Sequence, residues 1–77
     1  MPRYFFHVVD GRALIDAEGV ELTGVDEARK EAIRTAGQML ADAGKKFWKC
    51  KDWQMTVADA AGDSVLTLRF SADDHGK

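Results

Sequence analysis

The sequence predicts an α+β domain of ββαββ order, an antiparallel four-stranded sheet with one helix, about residues 25–43, packed on one face. Two observations predict the sheet: an aromatic and β-branched hairpin pattern opens the chain, and a cleanly alternating one closes it. A third predicts the helix, a central stretch with apolar residues at spacings of three and four. With 77 residues the chain has room for one domain. Its core must be thin, because a domain this small buries only about 60% of the surface its unfolded chain exposes. The 45% of apolar residues suffice for that core. They leave little for a deep substrate cavity, so size leans towards binding rather than catalysis.

Residues 3–9, RYFFHVV, read as the first strand and stop at Asp10-Gly11, a strong turn signal. Ala13, Leu14 and Ile15 begin a return strand, interrupted by Asp16-Ala17-Glu18-Gly19 and resumed over Val20–Leu22. The helical stripe is Val25, Ala28, Ala32, Ile33, Ala36, Met39, Leu40 and Ala43. Thr23 and Asp26 have capping-box spacing, and Gly24 with Glu27 is an alternative start. Asp26 and Glu27 suit the positive end of the helix dipole, and Gly44 is a natural stop. Gly37 costs about 1 kcal/mol relative to Ala in mid-helix, which suggests a close backbone contact there. Residues 53–59 alternate, with Trp53, Met55 and Val57 on one face. After the turn at Ala60-Ala61-Gly62-Asp63, residues 65–70 place Leu66, Leu68 and Phe70 inward and Val65, Thr67 and Arg69 outward.

A right-handed crossover gives the strand order 2-1-3-4, all antiparallel. The helix should then cover Tyr4, Phe6, Val8, Met55, Val57, Leu66, Leu68 and Phe70. The domain is expected over residues 1–70, with a disordered polar tail over 71–77.

Net charge is −2, which gives no bulk reason to expect nucleic acid or an anionic membrane as partner. The charge is unevenly spread: residues 1–44 carry 5 basic and 8 acidic groups, residues 45–51 four Lys, and residues 52–77 carry 2 basic and 5 acidic groups. Cys50 is the single cysteine, so an internal disulfide is impossible. The opening apolar run is too short for a signal-peptide core and no membrane span follows, so a cytoplasmic home is expected.

The segments PRYFFHVVDG, EGVEL, DEARKEAIRTAGQML and WQMTVADAAGDSVLTLRF resemble a family of short alphaproteobacterial proteins catalogued as a domain of unknown function, DUF6894. The resemblance runs from Pro2 to about Phe70. FFH followed by Asp10-Gly11 and the closing LTLRF are its most specific parts. The chain departs from the family pattern at the Thr23-Gly24 helix entry and in the Lys-rich FWKCK segment. The resemblance implies a fold and a bacterial cytosolic setting. It implies no activity, and so no functional residues.

His7 is the first candidate for chemistry. Its parity opposes Tyr4, Phe6 and Val8, which puts it on the sheet face away from the helix, with Phe5, Val9, Gln54, Thr56, Thr67 and Arg69. Catalysis needs a base within reach of a nucleophile or an orienting carboxylate; that set holds no carboxylate, and its threonine hydroxyls alone are weak nucleophiles. As a metal ligand His7 lacks a second His at suitable spacing, since His75 is in the tail. No P-loop, dinucleotide fingerprint or nucleophile elbow is present. Asp10, Asp16, Glu18 and Glu21 lack the alternation of an EF-hand loop and read as solvated turn charges. The expectation is therefore no catalytic residue, no metal and no cofactor.

The uncovered sheet face is the second candidate, an interaction surface of Phe5, His7, Val9, Thr56, Thr67 and Arg69. Its apolar members suggest a protein partner or a second copy, stacked on the sheet or paired along an edge strand. A cover by loop 44–52 or by the tail is the alternative. The third candidate is the basic-aromatic segment 45–53, opening with KKFWKCK, where Lys45, Lys46, Lys49 and Lys51 interleave with Phe47, Trp48 and Trp53. That pattern suits single-stranded nucleic acid or another anion. A solvated linker with Phe47 or Trp48 tucked into the core edge competes with it. Cys50 between two lysines suits a low thiol pKa, against the default of an ordinary thiol. The leading expectation is a non-enzymatic interaction module, a homodimer through the open face or a strand edge. The alternative is a small regulatory nucleic-acid-binding protein, by fold analogy with HicB-like antitoxins.

Overall fold

A computed structural model describes residues 1–50 and 52–76, leaving aside the side chains of Lys49 and Cys50. Its elements in chain order are β1 (Arg3–Val9), β2 (Ala13–Leu14), β3 (Val20–Glu21), α1 (Val25–Ala43), a 3-10 turn (Gly44–Lys46), α2 (Phe47–Cys50), β4 (Asp52–Ala58) and β5 (Ser64–Ser71). The predicted linker after α1 is thus largely helical.

The sheet runs β2-β1-β4-β5, all antiparallel, with β3 also pairing β1. This is the expected order, but with five strands, because the return strand is split. Leu14 and Ala13 pair with Val8 and Val9, and Val20 and Glu21 pair with Tyr4 and Arg3. Between the two pieces the Asp16–Gly19 loop leaves the sheet. β4 pairs β1 through Phe6↔Val57, His7↔Thr56 and Val8↔Met55, and β5 through Met55↔Leu68, Thr56↔Thr67 and Val57↔Leu66. A bulge at Val57/Ala58 disturbs only the start of β5.

Side-chain alternation puts Tyr4, Val8, Trp53, Met55 and Val57 on one face, where they form the core with Leu22, Ala28, Ala32 and Ala36. Met55 and Val57 are fully enclosed. The helix presents alanines, which lets it sit close to β4 and β5. Its cover of β5 is nonetheless incomplete: Leu66 and Leu68 are half-buried and Phe70 is 47% exposed. Ile33, expected in the helix's buried stripe, is instead 63% exposed.

Gly24 is the N-cap of α1, the alternative start, and the Glu27 carboxylate accepts the Thr23 N–H at 2.9 Å. Gly44 caps the other end with a φ of 50°. The close contact expected at Gly37 is absent: a Cβ there would meet nothing within 4 Å.

Candidate interaction surface

The pairing register lines up the predicted surface residues. His7, Thr56 and Thr67 form one row across β1, β4 and β5; Val9, Gln54 and Arg69 form the next; Phe5 lies opposite Ala58. All six predicted residues thus share the face opposite Tyr4, Val8, Met55 and Val57. They are not equally available. Val9, Thr67 and Arg69 are exposed, whereas Phe5, His7 and Thr56 are half-buried.

The cover over the β1 end comes from a segment that sequence reasoning left as solvated charge. The Asp16 carboxylate accepts the Phe6 N–H at 3.1 Å through Oδ2, and the Glu18 and Gly19 N–H groups at 3.1 and 3.0 Å through Oδ1. Burial pushes this carboxyl up, but the three backbone donors and the nearby His7 outweigh it and hold it below its ordinary value. The Asp16 N–H donates to His7 Nδ1 at 3.0 Å, so that nitrogen carries no proton here. Arg3 donates to the Glu18 carbonyl and pairs with Glu21 at 3.3 Å. Gly19, at φ +72°, brings the loop so near β1 that a Cβ would lie 2.8 Å from a Phe5 ring carbon and from the Tyr4 carbonyl oxygen. Phe5 in turn stacks on His7, with ring centroids 6.4 Å apart and planes 9° apart. His7 is therefore engaged with its own loop. The signal that could have revealed this is Asp16 three residues before Gly19, an Asx-turn pattern.

The two sheet edges differ. On the β2/β3 side the edge is broken into two-residue strands, and Asp16 occupies the outward Phe6 N–H. On the other side β5 runs eight residues, and no described strand pairs with its outer edge. Backbone direction follows by alternation. The Phe6 N–H points away from β4, so Phe5, His7 and Val9 point towards it. On β4, Trp53, Met55 and Val57 then face β5, in line with the next group of that parity, the Asp59 N–H, donating across the turn to the Asp63 carbonyl. Their partners Leu66, Leu68 and Phe70 spend their backbone groups inward. Thr67 and Arg69 turn theirs to the free edge.

Beside that edge, on the helix side, an apolar groove runs between α1 and β5. It comprises an open cleft of about 240 Å³ at Ile33, Gly37, Leu40, Leu68 and Phe70. It continues into one of about 320 Å³ at Arg29, Ile33, Leu66 and Leu68. Phe47 packs edge-on against Phe70 at 5.1 Å and against Trp48 at 5.7 Å. A third open cleft, about 330 Å³, lies on the other side of the β5 end and includes Val9, Gln54 and Arg69.

Of the predicted anion contacts, Lys45 and Lys46 are exposed in the 3-10 turn and Trp48 beyond them is 51% exposed, but Trp53 is buried in the core and offers no ring for stacking. Lys51 and the side chains of Lys49 and Cys50 lie outside the described residues, so the four-lysine platform and the thiol's setting stay expectations. Among the described residues no group of three or more His, Cys, Asp and Glu side chains is arranged to hold a metal. No described helix is long and apolar enough to cross a membrane.

Comparison with curated proteins and with solved structures returned no match. The family described as a domain of unknown function, DUF6894, matches residues 3–71, nearly the whole sheet-and-helix unit. The chain belongs to the DUF6894 family.

Proposed function

We propose that this chain is a non-enzymatic protein-interaction module whose docking surface is the outer edge of β5 together with the groove between β5 and α1. One observation carries the reading: an eight-residue edge strand offers free backbone groups at Thr67 and Arg69, and Leu66, Leu68, Phe70 and Ile33 beside it are incompletely covered. An extended partner strand added there would gain main-chain hydrogen bonds and bury that strip. The open face through Phe5 and His7 is the weaker surface, because the Asp16–Gly19 loop already engages both rings. A reducing, cytoplasmic setting suits the single cysteine.

The test uses an extended peptide of the β5 sequence, residues 64–71, titrated into isotope-labelled protein. Amide shifts should concentrate on Thr67, Arg69 and Ile33. They should vanish in Thr67→Pro, which removes an outward N–H that the free chain does not use. Shifts centred elsewhere, or none at millimolar peptide, would defeat the reading.

A further inference from the structure

We infer that the partner at the β5 edge is a second copy of this chain, paired antiparallel about a two-fold axis through Leu68; this rests on reading that edge as the docking surface. The outward-facing backbone groups limit the register. With Leu68 opposite Leu68 of the second copy, Thr67 lies across from Arg69 and Arg69 across from Thr67, so these outward-facing residues exchange main-chain bonds, with Ser71 opposite Val65 at the ends. The helix-side row is then self-complementary, with Leu66 meeting Phe70 and Leu68 meeting itself. The opposite side sets the one charge of the strand, Arg69, against a threonine, so no like charges meet. A register centred on Arg69 would set two arginines face to face, and one centred on Thr67 would put Phe70 opposite Ser64, without an apolar partner.

A two-fold axis perpendicular to the sheet keeps both helices on one side, and the groove at Ile33 and Leu68 becomes the floor between them. The assembly closes at two copies, because the other sheet edge is broken by two-residue strands and capped by Asp16. Size fits a reversible dimer. Eight residues of strand extend about 26 Å, and the molecule is 18 Å in its thinnest dimension. A contact even of that full depth totals about 900 Å² for the two copies, just under the roughly 1,000 Å² of a stable specific interface, which suits a weak, reversible pairing.

The test is site-directed cross-linking of the full chain in a Cys50→Ser background, with unaltered chain followed by sedimentation velocity. A two-fold pair at Leu68 brings its Cα atoms to about 4.5 Å, within disulfide reach. Leu68→Cys should therefore form covalent dimer at least about tenfold faster than Thr67→Cys, and unaltered chain should sediment increasingly as dimer into the high micromolar range. Faster cross-linking through Thr67→Cys overturns the register. Strictly monomeric sedimentation overturns self-pairing even if Leu68→Cys folds poorly. The edge reading itself then stands or falls on the peptide titration.

Discussion

Replacing Gly19 by Ala should be among the most damaging single-methyl changes available to this chain. Gly19 sits at φ +72°, where an L-residue carries roughly 1–2 kcal/mol of steric cost. The new methyl would also stand 2.8 Å from the Tyr4 carbonyl oxygen and from Phe5 Cε2, and 2.9 Å from Arg3 Cγ. The Arg3 side chain can move aside. The Tyr4 carbonyl belongs to the β1–β3 pairing and cannot, so overpacking adds roughly 1–3 kcal/mol. The sum, about 2–5 kcal/mol, compares with a total stability of about 4–12 kcal/mol for a domain of this length. Urea unfolding followed by far-UV circular dichroism measures it. The midpoint should fall steeply, or the variant should be part-unfolded without urea. A loss below about 0.5 kcal/mol, the size of an ordinary surface change, would refute the packing described for the Asp16–Gly19 loop.

Other substitutions probe the remaining supports. Gly37→Ala should raise stability by about 1 kcal/mol in thermal unfolding, because the added methyl meets nothing within 4 Å and helix propensity improves. Asp16→Ala leaves the Phe6, Glu18 and Gly19 N–H groups without their acceptor and should cost about 2 kcal/mol at pH 7. Since the folded carboxyl lies below its ordinary value, the ionised form is the stabilising one. Its contribution is complete above the unfolded value of about 4 and fades as pH falls through the folded one, so the gap between wild type and Asp16→Ala should narrow in acid. Met55→Ala empties one of the two large, fully enclosed sites and should cost about 2–5 kcal/mol in the same assay. If the basic segment binds single-stranded nucleic acid, retention at 50 mM salt should be lost in Lys45/Lys46→Ala; no retention by wild type ends that alternative.

Much of the architecture was legible because it depends on local periodicity. Alternation in residues 3–9, 53–59 and 65–70 placed the strands, and the three-and-four spacing placed α1 to its terminal residues. Parity alone put Phe5, His7, Val9, Thr56, Thr67 and Arg69 on one face, where the register now aligns them. What stayed hidden depends on the third dimension. Ile33 fits the helical stripe as well as Ala32 does, yet it lies at the open groove between α1 and β5. Leu66, Leu68 and Phe70 likewise alternate like core residues yet border that groove. Asp16 reads as turn charge, and although its spacing to Gly19 marks the local donors, no residue type marks the Phe6 N–H that it accepts from β1. Thr67 and Arg69 matter through main-chain direction, which sequence parity does not distinguish from side-chain direction.

The most direct measurement is residue-resolved amide hydrogen exchange along β5 at two protein concentrations. At low micromolar concentration Leu66 and Leu68 should be protected while Thr67 and Arg69 exchange freely; at high micromolar concentration Thr67 and Arg69 should gain protection and the inward pair should change little. Equal protection of all four amides when dilute, or no gain on concentrating the protein, would contradict the assignment of β5 as a free edge that pairs with its own copy.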